Sequence, residues 1–235
     1  DKCGSTHPQM LQQMVKEQGA FMGFEFDGDA DRLIACDEKG ELIDGDKLMC
    51  ICAQMMKDRE ELAGNLVIST VMSNVGFHKF MKKAGIDVEI TSVGDRYVLD
   101  MMLEKGAALG GEQSGHIIFL NHATTGDGIL SALQLLQALV LSGKTAGDAS
   151  EQIQLYPQVL KNAKVRIENK AQFNRDPEIR ALIAEIEEKL GDEGRVLIRP
   201  SSTEPLVRVM IEGQNIDEIT EMAQKLARLI TRRFS

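Results

Sequence analysis

No apolar run in this 235-residue chain approaches the roughly 20 residues needed to cross a bilayer, and no signal-peptide pattern opens it. A transmembrane protein is therefore not expected. Positive charge is also scarce: 27 Lys and Arg stand against 36 Asp and Glu, a net charge of -9. That balance argues against a broad nucleic-acid surface or an anionic-membrane surface. Cysteines number four, and the spacing of Cys3, Cys36, Cys50 and Cys52 suits neither a zinc site nor a CxxC redox pair. Cys50 and Cys52 fall in an apolar helical stretch, so reduced, buried thiols and a cytoplasmic location are expected. Tryptophan is absent and methionine reaches 12, which is compatible with ordinary core packing and excludes nothing.

What is present is enough hydrophobic residue, 43%, for real cores, in a chain longer than one typical domain of roughly 100–150 residues. Met10–Val15 suggests a short helix leading into a strand over 21–26. Leu33–Asp37, a turn at Glu38–Gly40 and Leu42-Ile43 form a hairpin-like unit, followed by a helix to about Lys57. Strand and helix patterns then alternate. Strands are expected at 66–68, 88–90, 107–109 and 116–119, and helices at 74–84, 95–104 and 127–141. This favours an α/β layer with a largely parallel sheet. Pro157 and the polar stretch around Asn162 read as a linker. Beyond it a strand at 165–167, a helix at 177–190, strands at 196–198 and 206–211, and a helix at 216–230 predict a small α+β domain of order βαββα. One helix and one strand cannot bury themselves, so residues 1–40 are expected to be the C-terminal remainder of a preceding α/β domain. The next domain then covers 41–155 and the last 156–235.

The most informative segment is Asp27-Gly28-Asp29-Ala30-Asp31-Arg32. In an extended segment Asp27, Asp29 and Asp31 would face one way and converge on one hard cation. An all-oxygen set suits Mg²⁺ or Ca²⁺, not zinc. A solvated turn is the plain alternative. An EF-hand loop fits poorly, because Arg32 occupies the position of its turn glycine and the flanks read as strands. A second segment, Arg199-Pro200-Ser201-Ser202-Thr203-Glu204-Pro205 with Arg208 beyond, joins guanidinium groups to adjacent hydroxyls, either as an anion nest or as a polar turn. The third, Gly110-Gly111-Glu112-Gln113-Ser114-Gly115-His116, offers donors and acceptors suited to sugar hydroxyls, or is simply a polar loop. Ser5-Thr6-His7-Pro8 is read as a helix-leading loop with Ser5 or Thr6 as a cap, and His78 and His122 as structural. Asp95-Arg96 either exposes Arg96 to an anion or is an ordinary helix start.

In their chain order, 27–32, 110–116 and 199–205, the three motifs resemble the α-D-phosphohexomutase superfamily, and the wording of 111–116 and 3–8 looks most like its bacterial phosphoglucosamine mutase branch. The resemblance covers essentially the whole chain. It implies an α/β domain, preceded by the end of another, followed by a small α+β domain. It implies an intramolecular phosphotransferase that interconverts glucosamine 6-phosphate and glucosamine 1-phosphate through a phosphoserine and a sugar bisphosphate, for amino-sugar and cell-wall precursors. Mutases acting on glucose or mannose phosphates, or a non-catalytic sugar-phosphate-binding module, are the alternatives. By position, Asp27, Asp29 and Asp31 match the Mg²⁺ ligands, Arg32 the arginine that positions the phosphoryl group, and His116 a residue near the reacting centre. Glu112 and Ser114 match residues holding sugar hydroxyls. Arg199, Ser201, Thr203 and Arg208 match the grip on the non-reacting phosphate, and Ser202, between them, is counted as a substrate-binding residue of the same loop. The partner implied is a hexosamine phosphate, with no nucleic acid or membrane, and a homodimer of the full-length parent remains open. Two departures stand out: Ser202 occupies a position that is glycine in the family, and the family's phosphoserine loop is not found. The chain alone is therefore expected to be inactive.

Overall fold

A computed structural model describes residues 4, 7–166, 172–201 and 204–235. The chain divides into two compact units, Asp1–Gln154 and Leu155–Ser235.

The first unit opens with helix α1 (Gln9–Gln18), which ends where Gly19 turns left-handed at φ 58°. Strands β1 (Met22–Phe26), β2 (Leu33–Asp37) and β3 (Leu42–Ile43) form an antiparallel sheet in the order β1-β2-β3. Asp44 then caps α2 (Gly45–Asp58), its Oδ1 accepting the Lys47 N–H at 3.0 Å. Burial raises the pKa of the Asp44 carboxyl, although the backbone N–H groups it caps pull the other way. Helix α2 carries Leu48, Met49, Cys50, Cys52 and Ala53 into the core with no exposure. Cys36, Cys50 and Cys52 are buried free thiols, and burial pushes Cys52 up to about 12; Cys3 lies outside the described residues.

The second sheet follows. Strand β4 (Leu66–Thr70) leads through α3 (Val75–Ala84) to β5 (Asp87–Thr91), then through α4 (Asp95–Lys105) to β6 (Leu109–Gly111) and β7 (Ile117–Phe119). The order is β5-β4-β6-β7, with β4 parallel to both neighbours and β7 antiparallel to β6. The sheet is thus mixed, because the link between β6 and β7 is a tight loop that cannot make the crossover a parallel pair requires. The chain leaves β4 for one neighbour and returns to the other, so the carboxyl ends of β4 and β6 flank a switch point, where α/β sheets place ligands. Helices α5 (Gly128–Ser142) and α6 (Ala146–Glu151) complete the unit.

In the second unit, strands β8 (Gln158–Lys164), β9 (Arg195–Pro200) and β10 (Leu206–Glu212) form an antiparallel sheet ordered β8-β10-β9. Helices α7 (Pro177–Leu190) and α8 (Ile216–Phe234) pack on one face, burying Val159, Ala163, Val207, Val209 and Ile211 against Ile179, Ile219, Leu226 and Ile230. The βαββα order is as expected, but its first strand is not. The expected linker around Asn162 is strand β8, and the strand expected at 165–167 begins at the residue directly after its end, with Ile167 outside the described residues. Only Val159 and Ala163 of β8 are buried, too sparse a pattern to announce a strand. Among the described residues no helix is long and apolar enough to cross a membrane.

Candidate functional site

The aspartate-rich segment is not extended. It is the turn between β1 and β2, in which Ala30 takes a left-handed φ of 60° and its N–H reaches Asp27 O at 3.2 Å. A non-glycine residue there carries strain of roughly 1–3 kcal/mol, a cost that clusters at functional sites. The turn, not strand alternation, brings ligand atoms of Asp27, Asp29 and Asp31 within 4.8 Å of one another. Buried Asp31 Oδ1 has no hydrogen-bond partner. Desolvation, then the hydrogen bond and negative charge of Asp27, hold the Asp31 carboxyl above the usual carboxylate range. Crowded acids with an orphaned inward oxygen and an exposed Asp29 fit a hard divalent cation that keeps open positions.

Arg32 follows on the rim, its Nε 3.6 Å from Asp27 and 4.0 Å from Asp31. It also bridges to His116 through the backbone. The His116 ring is 2% exposed, with Nε2 3.5 Å from Asp31 Oδ2. A Cβ on Gly126 would come within 2.5 Å of that ring, so only glycine there lets the imidazole sit against the aspartate turn. Asp31, Arg32 and His116 are therefore brought together.

Glu112 and Ser114 lie in the β6–β7 turn, at the switch point. Glu112 is 8% exposed and its Oε1 accepts the Gly94 N–H at 3.0 Å, while Ser114 is exposed. Gly115 closes the turn, its N–H donating to Glu112 O and its carbonyl accepting the Leu33 N–H at 3.1 Å. Two docking residues carry no sequence signal of that role. Gly45 opens α2 with its N–H on Gln113 O at 3.0 Å, and Gly128 opens α5 with its N–H on Ala30 O at 2.9 Å. Each is pressed so close to loop backbone that a Cβ would lie 2.1 Å from Glu112 O or 2.7 Å from Arg32 O. Asp44-Gly45 and Asp127-Gly128 were visible only as helix starts.

Elsewhere the weaker candidates stay outside the cluster. Arg96 is solvent-exposed, 3.6 Å from Asp100, on a helix whose N-cap is Gly94. His78 packs edge-on against Phe77, and His122 sits in a loop beside Gln134. Ser5 and Thr6 lie outside the described residues, and Pro8 is the α1 N-cap with no side-chain bond.

In the second unit the register sets Arg208 directly opposite Arg199 on one side and Asn162 on the other. Their side chains share the sheet face away from α7 and α8. Like charges directly opposite repel. Burial, then the Arg208 charge, lowers the Arg199 pKa. Arg208 also lies 3.5 Å from Glu204. Ser201, 5% exposed, has its Oγ on the Glu204 N–H at 3.2 Å. Ser202 and Thr203 lie outside the described residues. A pair of adjacent guanidiniums beside a buried hydroxyl is an arrangement an oxyanion would relieve.

The sequence matches two domain models of one family over most of its length. These are phosphoglucomutase/phosphomannomutase, alpha/beta/alpha domain III, at residues 44–156, and its C-terminal domain at 163–229. A phosphoglucosamine mutase of Thermoanaerobacter is 54% identical over 233 residues, 99% of this chain and 52% of that protein. One from Caldicellulosiruptor bescii is 53% identical over 234 residues, 100% and 52% respectively. The chain spans about half the length of the curated relatives it matches. Among solved structures, the Aspergillus fumigatus N-acetylphosphoglucosamine mutase in complex with GlcNAc-6P and magnesium aligns with a TM-score of 0.77. Its identity is 20%, over 100% of this chain and 54% of that one, a likeness of fold. The two domain matches and the relatives at over 50% identity agree with the architecture of both units: the chain belongs to the phosphoglucomutase/phosphomannomutase family of α-D-phosphohexomutases.

Proposed function

We propose that this chain supplies the metal turn, sugar loop and phosphate loop of a phosphoglucosamine mutase, which interconverts glucosamine 6-phosphate and glucosamine 1-phosphate. The observation that carries this reading is the junction of Asp31, Arg32 and His116 beside the Glu112 loop, in a chain over 50% identical to proteins of that name. Residues 1–40 are assigned to the preceding domain, and the buried free thiols support a reducing, cytoplasmic setting.

Asp27, Asp29 and Asp31 would hold Mg²⁺, which when bound withdraws charge from a phosphoryl group. Arg32 lies on the rim of that turn and holds positive charge towards the same group. Glu112, kept in place by the Gly94 amide, and Ser114 orient sugar hydroxyls, while His116 is fixed against Asp31 at the reacting end. Arg199 and Arg208 with Ser201 take the phosphate that does not react. The chain's work is positioning and electrostatic stabilisation rather than covalent chemistry.

The full-length protein, assayed on glucosamine, glucose and mannose 1-phosphates, is expected to prefer glucosamine 1-phosphate, and the 235-residue chain alone to turn over none of them. A preference for glucose or mannose 1-phosphate overturns the amino-sugar assignment; turnover by the chain alone overturns the division of labour.

The metal reading has its own measurement. Asp29→Asn removes one charge at nearly constant shape and is expected to weaken Mg²⁺ binding about tenfold in titration calorimetry, near 1.4 kcal/mol. Unchanged affinity would move the ion elsewhere.

Arg199→Lys keeps the charge but loses the planar fork. It is expected to weaken phosphate binding severalfold, read from amide shifts centred on Arg199, Ser201 and Arg208. Shifts spread evenly over the surface would leave this loop an ordinary turn.

A further inference from the structure

We propose that a cleft between the C-terminal halves of α2 and α5 binds a small amphipathic monoanion and transmits its binding to the metal turn and the sugar loop. The cleft, about 300 Å³ in volume, lies at the low end of the range of small-molecule sites. Its wall is apolar: Ile51 and Met55 of α2, Phe80 of α3, Ala138 and Leu141 of α5, and Ala149 of α6. Ile51, Met55, Ala138 and Ala149 are each under 10% exposed, so the floor is built from core side chains.

The rim defines the ligand's polar groups. Arg59 is committed to Glu61 through two hydrogen bonds of 2.9 and 2.6 Å. Lys144 is not committed to an acid: among the described residues its side-chain partner is the neutral amide oxygen of Gln152, at 3.1 Å. Among the described residues the Asp58 side chain likewise meets the amide of Gln54, at 2.7 Å, on its own helix. An aromatic or branched apolar body with one anionic group for Lys144 and one N–H donor for Asp58 matches this wall and rim. A dianion is disfavoured by Asp58.

The position of the cleft gives it reach. Helix α2 runs from the Gln113 carbonyl to the cleft, and α5 from the Ala30 carbonyl to the same place. Gly45 and Met55 are about 15 Å apart along the axis at 1.5 Å per residue. Both helices begin with a glycine jammed against loop backbone, with no room for even a methyl group. A packed helix moves as a body rather than deforming. A ligand that wedges the two C-terminal halves therefore displaces the two N-termini, and with them Glu112–Gln113 and Ala30–Arg32.

The test uses 8-anilinonaphthalene-1-sulfonate, which has the aromatic body, single anion and N–H donor. Fluorescence titration of the chain should saturate at one molecule per chain. Lys144→Glu should weaken it about tenfold, Ala149→Leu should abolish it, and Lys189→Glu in the second unit should leave it unchanged. Amide resonances of Gly45 and Gly128 should shift along with those of the cleft. Lys144 is exposed, so its variant remains informative if Ala149→Leu fails to fold. Binding that does not saturate, affinity unmoved by Lys144→Glu, or still Gly45 and Gly128 amides each overturns the proposal. Neither readout depends on the proposed catalysis.

Discussion

Gly115→Ala is expected to lower the melting temperature by about 10 °C, the largest effect of any single methyl group in the sugar loop. Two costs combine. The residue has φ +94°, a backbone that L side chains rarely adopt, and a Cβ would lie 2.1 Å from the Leu33 carbonyl oxygen. Left-handed strain costs about 1–2 kcal/mol and forced overpacking about 1–3 kcal/mol. The oxygen that is struck belongs to the first residue of β2, whose own N–H is bonded to Gly115, so neither side can yield without breaking that link. Gly106→Ala separates the two costs, since its φ is +69° but nothing lies within 4 Å of the added carbon. Calorimetry should show the Gly106 variant losing only the strain part. Equal losses would mean that contact with Leu33 contributes nothing.

Glu212→Ala is expected to destabilise the second unit by about 3 kcal/mol, at the lower end for breaking a buried ion pair because Arg195 keeps some contact with water. The Glu212 side chain is fully buried, and it accepts from Arg195 Nε at 2.8 Å and from Gln158 Nε2 at 3.0 Å. Its position is the row of the β8-β10-β9 sheet that joins Gln158, Glu212 and Arg195. Truncation leaves a half-buried guanidinium without its carboxylate. Glu212→Gln retains the shape and one acceptor, so urea unfolding should place it between the wild type and Glu212→Ala. A Glu212→Ala midpoint equal to the wild type would show that water replaces the carboxylate at no cost.

Helices were the most legible part of the chain, because their ends are written locally. Asp44, Asn74, Asp127, Asp176 and Asn215 each cap a helix through a side-chain oxygen, and glycines at 19, 85, 106 and 143 end helices in the left-handed region. Strand β8 is not legible in the sequence because an edge strand with one face open to solvent needs few apolar residues, and its pairing with β10 is written in another segment. The three candidate loops can be located in the sequence but not shaped from it. Asp27, Asp29 and Asp31 converge through the left-handed Ala30, which alanine gives no reason to expect. The pairing of Arg208 with Arg199 depends on register. The roles of Gly45 and Gly128 depend on backbone distant in sequence, and a glycine at a helix start looks the same whether or not anything presses on it.

The Arg199–Arg208 pair has a consequence for anyone who measures the stability of this chain. Two like charges held across neighbouring strands burden the folded state and not the unfolded one. An anion that settles between them removes the burden only when the chain is folded. If the pair takes an anion as proposed, phosphate or sulfate in the buffer would act as a stabilising solute by mass action, adding about 1.4 kcal/mol at tenfold its Kd. Melting curves recorded in phosphate and in an uncoordinating amine buffer would therefore describe two different reference states, and substitutions at either arginine would look milder in the second.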